Sequence, residues 1–254
     1  MAYDGIVSRY LNRPISRPAA RALQHTPATP NTITVSTLLL SIATATAIAT
    51  GYNIIGGIGI QLASIIDGID GELARLQNTT TRFGAVLDAV TDRYADAAII
   101  AGLTIYATRF EPHPHPEALG LLALAGTLIV SYSRARIEAS LFPTTPPPPA
   151  EGGRLEVGDD HTSTTPPPPE SGTLGVEDLQ PPISNLQPSN PPPTSNLQPS
   201  TSLFGLASRD VRTLLMAIGA ILGLAYATLA VIATITTLTI AWRLIYLRIT
   251  KVGG

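Results

Sequence analysis

The chain reads as an all-α polytopic membrane protein, with six transmembrane helices preceded by an amphipathic interfacial helix. Three observations predict this class. Six apolar runs each approach the length of a bilayer span, a basic stripe precedes the first of them, and arginines gather at alternate ends of the runs. Crossing a hydrocarbon core takes roughly 20 helical residues. At 254 residues the chain suits one or two domains, and a formal net charge of −2 gives no electrostatic case for nucleic acid. The absence of cysteine excludes disulfides and thiolate sites and leaves the redox compartment unread. Fifteen of the sixteen basic residues are arginine, which fits a biased genome or a hot habitat equally well.

Residues 1–30 form the N-terminal segment. Arg9, Arg13, Arg17 and Arg21 recur every four residues, so a helix would carry them as one stripe opposite Leu11, Ile15 and Ala22. Pro14 and Pro18 are expected to break or bend that helix. With no long apolar core beside the start, the segment is not expected to be a secretory signal, and it reads as lying along the membrane surface.

Residues 31–140 hold four spans, at about 33–50, 53–74, 84–107 and 117–137. Residues 206–254 hold two more, at about 211–225 and 227–247, the first of them short. Between them, residues 141–205 contain PPPP twice, PPP once and the repeat SNLQPSNPPPT/SNLQPSTSLF at a period of eleven. Such proline density excludes helix and sheet, and the few apolar residues cannot bury a core, so a disordered cytoplasmic loop is expected. An even number of spans puts both termini on one side. The N-terminal arginines, Arg75, Arg82, Arg134, Arg136, Arg209, Arg212, Arg243, Arg248 and Lys251 fall there, while Arg109 lies at an opposite end. That bias places the termini in the cytoplasm.

The segment Asp67–Asp92, DGIDGELARLQNTTTRFGAVLDAVTD, departs from the apolar pattern. At about 100° per residue Asp67, Asp70, Gly71, Ala74 and Arg75 share one helical face. Gly84, Asp88 and Asp92 share another. Carboxylates inside spans are costly and mark function by default, and two acidic faces joined by a loop make an oxygen cage for a hard divalent cation. The alternative is a set of surface acids paired with Arg75 and Arg82.

The spacing Asp67-x2-Asp70-Gly71-x2-Ala74-Arg75-x8-Gly84-x3-Asp88-x3-Asp92 fits the signature of the CDP-alcohol phosphotransferase family without a departure. The segments SRYLNRPISRP, TPNTIT, LDAVTDRYADA, YSRARIEA and SRDVRTLLMAIG resemble the archaeal branch of that family that handles inositol phosphates. The resemblance covers about residues 3–139 and 206–250. It implies a membrane-embedded transferase that opens with an interfacial helix and acts as a homodimer, and the arginine bias places its acidic site, like the termini, on the cytoplasmic side.

Displacing CMP from a CDP-alcohol requires that phosphate charge be neutralised and an incoming hydroxyl deprotonated, which a divalent metal and a carboxylate base accomplish together. Asp67, Asp70, Asp88 and Asp92 are the expected ligands of two Mg2+ or Mn2+ ions, and Asp92 is the expected base; the resemblance implies the same assignment. Asp70, Gly71, Ala74, Arg75 and Gly84 are the expected CDP contacts, small residues also serving close helix packing. Arg75 could pair with the pyrophosphate or with Glu72, and Asn31 could orient the nucleotide or cap a helix. Arg134, Arg136 and Arg209 form the expected acceptor-phosphate site, or anchor topology by charge alone. Arg93 and Asp96 suggest a structural pair, and His113 and His115 lie on the far side, where no metal is expected.

The donor is expected to be CDP-inositol and the acceptor inositol phosphate, giving a di-inositol phosphate phosphate. A CDP-linked diether lipid is the alternative donor. Related enzymes carry a fused cytidylyltransferase domain, absent from this sequence, so CDP-inositol is expected from another protein. Two other classes fit less well. A cation transporter would hold its acids at the midplane between helical repeats, and a prenyl-type synthase would show DDxxD pairs.

Overall fold

The computed structural model describes residues 7–141 and 208–249, and every regular element among them is helical. The proline-rich interval and its repeat fall outside the described residues. A π-helical turn, Ser8–Asn12, leads into α1, Arg13–Leu23. Then follow α2, Pro30–Ala49; α3, Asn53–Leu76; α4, Arg82–Phe110; and α5, Pro116–Leu141. After the interval come α6, Arg209–Ile221, and α7, Ala225–Ile249.

The prolines of the N-terminal segment do not break α1. Pro14 directly follows the π-helical turn, and Pro18 is carried inside the continuous helix. The helix has three sides. Asn12, Ser16 and Ala20, four apart, are buried on the protein side, while Leu11 and Ile15 are exposed beside Pro18 and Ala22. The arginines occupy the third side. Contact with α3, and a small cluster of Ala20, Ile33, Ile69 and Leu73, seat the segment, so it is not a loose basic tail.

Helix ends follow local chemistry. Thr29, not Asn31, caps α2: its hydroxyl accepts the Thr32 amide at 3.3 Å, and Pro30 takes the first helical position. Thr81 caps α4 through the Gly84 amide at 3.0 Å. The run expected to extend to about 225 stops at Ile221, because Gly223 at φ +67° turns the chain into α7. Glu111 from the α4–α5 loop caps α7 across space, accepting the amides of Ala225 at 2.6 Å and Tyr226 at 2.9 Å. Asn53 donates to the Ala220 carbonyl at 3.1 Å and satisfies the end of α6.

Four helices are long and apolar enough to cross a membrane: α2, α3, α5 over Pro116–Ile137, and α7 over Ala225–Tyr246. The longest helix, α4, carries Asp88, Asp92, Arg93 and Asp96 in its first half, and α6 at about 20 Å is short. Exposed Leu39, Ile42, Ile55, Ile58, Leu121, Leu122 and Leu238 cover the outer faces, as lipid contact requires. Inside, Ile48, Ile60, Ile100, Leu103, Met216, Leu229 and Ile232 form the core. Several buried hydroxyls are satisfied within their own helix. Thr37, Ser41 and Thr236 each donate to their own i−4 carbonyl at 2.8–3.0 Å.

Backbones approach closely where side chains are smallest. A Cβ at Gly102 of α4 would lie 2.5 Å from the Ala45 carbonyl oxygen of α2 and 3.0 Å from its Cα. Gly102→Val is therefore expected to destabilise the bundle by about 1–3 kcal/mol, lowering the unfolding midpoint in detergent. Ala101→Val, on the exposed side, should change stability by no more than about 0.5 kcal/mol.

Candidate active site

The acids come together because α2 packs against both α3 and α4, while the 77–81 loop reverses the chain between those two helices. Asp67 and Asp70 therefore project from the end of α3 near the first three turns of α4, which carry Asp88 and Asp92. Asp67, Asp88 and Asp92 each offer a carboxylate oxygen, and these atoms all lie within 4.8 Å of one another. All three side chains are half-buried.

Asp70 stands beside this trio but is held differently. It is buried, and accepts a 2.6 Å hydrogen bond from the Thr34 hydroxyl of α2 and a second from the Gly71 amide. Thr34 was not expected from sequence; its one signal is its place in the TPNTIT segment, one helical turn after Asn31.

Arg209, at the first turn of α6, reaches into the acids. One terminal nitrogen donates to Asp67 at 2.6 Å, the other lies 2.8 Å from Asp92, and Nε lies 3.6 Å from Asp96. Behind it, Asp96 and Arg212 are both 2% exposed and 3.7 Å apart. Arg93 approaches Asp96 at 3.9 Å and Asp92 at 3.7 Å, and also donates to the Ser131 hydroxyl of α5. The expected Arg93–Asp96 pair is thus part of a larger lattice. Arg134 and Arg136 are exposed near the end of α5.

A cavity of about 210 Å³ opens on Asp67, Asp70 and Asp88, with Gly71 and Arg75 on its wall. Gly71 is exposed, and a Cβ there would meet nothing nearer than an Arg75 nitrogen at 3.9 Å, so a ligand can approach the backbone. Arg75 is paired with Glu72 at 2.7 Å, and Arg13 and Arg17 of α1 reach the same carboxylate at 3.8 and 3.7 Å. The role of Glu72 in collecting the α1 arginines was not expected. Ala74 is half-buried one turn from the end of α3. Asn31 and Gly84 lie together where α2 and α4 begin, the Asn31 amide oxygen 3.3 Å from where a Gly84 Cβ would sit. A larger cavity of about 340 Å³, lined by Thr104, Thr108, Arg109 and Glu117, has none of the expected site residues in its wall.

The donor set suits a hard cation. Every group offered by the trio is a carboxylate oxygen, the ligand type that Mg2+ and Mn2+ take, with neither imidazole nor thiolate to favour a softer ion.

Residues 27–154 match the family model for CDP-alcohol phosphatidyltransferase. The chain is 48% identical over 139 residues to the bifunctional IPC transferase and DIPP synthase of Rubrobacter xylanophilus, a match covering 54% of this chain and 31% of that protein. It thus spans about a third of such bifunctional relatives. It is 37% identical over 154 residues to the phosphatidylinositol phosphate synthase of Mycobacteroides abscessus, covering 60% of this chain and 67% of that one. The fold is similar to the phosphatidylinositol phosphate synthase of Mycobacterium tuberculosis with CDP-DAG bound, at a TM-score of 0.58 and 23% identity, covering 91% of this chain and 92% of that one. The same enzyme in complex with manganese and citrate gives a TM-score of 0.59 at 23% identity, over 91% of this chain and 87% of that one. The chain belongs to the CDP-alcohol phosphatidyltransferase family.

Proposed function

We propose that this protein transfers a phospho-alcohol from a CDP-linked donor to a hydroxyl of inositol phosphate, releasing CMP. The observation that carries the reading is the Asp67–Asp88–Asp92 trio, drawn from two helices at the family's signature spacing. CDP-inositol is the donor in this reading and a di-inositol phosphate phosphate the product, which fits the likeness to a DIPP synthase. A CDP-linked diether lipid is the second reading, favoured by the CDP-DAG bound to the M. tuberculosis enzyme of similar fold.

In this reading Asp67, Asp70, Asp88 and Asp92 hold two divalent ions, which when bound neutralise pyrophosphate charge. Asn31, Gly71, Ala74, Arg75 and Gly84 seat the CDP half. Asp92 takes the proton of the acceptor hydroxyl; the acceptor oxygen bonds to the phosphorus that carries the donor's alcohol, and the bond from that phosphorus to CMP breaks. Arg209 orients Asp92 and, with Arg134 and Arg136, draws the acceptor phosphate to the site. The acids sit toward one end of α3 and α4, which favours a transferase open to one aqueous side over a midplane transporter.

The same reading takes α2–α7 as six spans, with the charged half of α4 turned to the site. The apolar stripe of α1 lies in the membrane surface, the termini and site face the cytoplasm, and two copies form a homodimer. Residues 1–30, 31–140, 141–205 and 206–254 then serve as surface helix, catalytic bundle, proline-rich insertion and closing helix pair.

Chelation of divalent ions should abolish CMP release, and Mg2+ or Mn2+ should restore it. Asp92→Asn should cut CMP release by about 10²–10⁴-fold while metal-dependent nucleotide binding persists; full turnover in that variant removes Asp92 as base. Arg134→Ala should raise the Michaelis constant for inositol phosphate more than that for the donor, and an unchanged acceptor constant refutes its phosphate role.

A further inference from the structure

The site cavity has a wall that the family match does not include. Residues 27–154 match the family model, yet Ser8, Asn12, Arg13 and Ser16 line the cavity together with Asp67 and Asp70. Every side chain lining it is polar, and the remaining positions are glycines. Asn12 is 4% exposed; its amide donates to the Ser64 hydroxyl at 3.0 Å, and its oxygen accepts from Gln61 at 2.9 Å. These bonds tie the N-terminal segment to α3 between about one and two turns before Asp67. The Gln61 carbonyl oxygen is buried without a partner among the described residues. Ser16 lies over Gly68, where a Cβ would come within 3.2 Å of its hydroxyl.

Leu11 and Ile15 of the same segment are exposed, so the side turned to the cavity is the hydrophilic one although an apolar side exists. We propose that the N-terminal segment is the specificity element for the donor's alcohol: its polar wall accepts a hydroxyl-rich alcohol and rejects a lipid. The inference rests on the transferase reading above. A polyol returns hydrogen bonds to Ser8 and Arg13 as water leaves them, while Asn12, already bonded to Ser64 and Gln61, holds the wall in place. A hydrocarbon chain strips that water and returns nothing. Sites built to pair with substrate hydroxyls discriminate strongly against analogues that lack them.

The test offers the purified full chain CDP-inositol or a CDP-linked diether lipid, each with inositol phosphate and Mg2+, and reads CMP release. Wild-type kcat/KM should favour CDP-inositol by about 100-fold or more. Ser8→Leu and Asn12→Leu should each lower kcat/KM for CDP-inositol by about 10-fold or more, mainly through KM, with Asn12→Gln recovering part of the loss. Mg2+-dependent binding of CMP, the half common to both donors, should stay unchanged in these variants and shows that they fold. A preference for the lipid, or an equal loss with both donors, overturns the role of the wall and leaves the reaction standing. No CMP release from either donor overturns the reaction and the inference with it. Should a variant lose CMP binding, the wild-type donor ratio decides, and a ratio below about 10 is refutation.

Discussion

Charge buried in an apolar helical bundle has to be neutralised where it stands, and in this protein that constraint settles on Arg209. Its guanidinium spans Asp67 of α3 and Asp92 of α4 at 2.6 and 2.8 Å, with Asp96 next in reach. Removing one member would leave the others as uncompensated buried ions, the most destabilising defect such a site can carry. The arrangement of α3, α4 and α6 around their common end is therefore an electrostatic solution first and a packing solution second. Arg212, Asp96 and Arg93 extend it inward, and the Arg93–Ser131 hydrogen bond joins it to α5.

That lattice also explains how acidic helices persist among apolar ones. The carboxylates of α4 face α3 and α6, and the exposed positions of the same helix, such as Val86, Val90 and Ile105, are hydrocarbon. Threonine hydroxyls elsewhere bond to their own helix and leave interfaces free for close approach. The acidic site thus lies at one end of the bundle.

How much could be read from sequence depended on the range of the interaction. The acidic faces were legible because their spacing is helical periodicity, a local property. The places of α2–α7 were legible because apolar runs announce themselves, although the end of α6 was set by Gly223 and not by hydropathy. The cap of α2 fell to Thr29, since proline at position 30 fixes which residue precedes the first turn. What stayed hidden spans long separations. Thr34 meets Asp70 across 36 residues, Glu111 meets Ala225 across 114, and Arg209 meets Asp67 across 142. No periodicity encodes these meetings; they follow from which helices α2 and α6 pack against. Arg134, Arg136 and Arg209 share one end in sequence logic, yet only tertiary packing drew Arg209 into the acids.

The seating of α6 has a consequence for how this chain can vary. One end is fastened by Arg209 to two helices, the other by the Asn53 bond to the Ala220 carbonyl, and Gly57 of α3 lies against Ala217 and Ile221 between them. A helix that finds its berth by its own contacts does not need its leader to deliver it there. The berth of α6 is set within the bundle itself, and changes at Arg209, Asn53 or Gly57 are the ones that would unseat it.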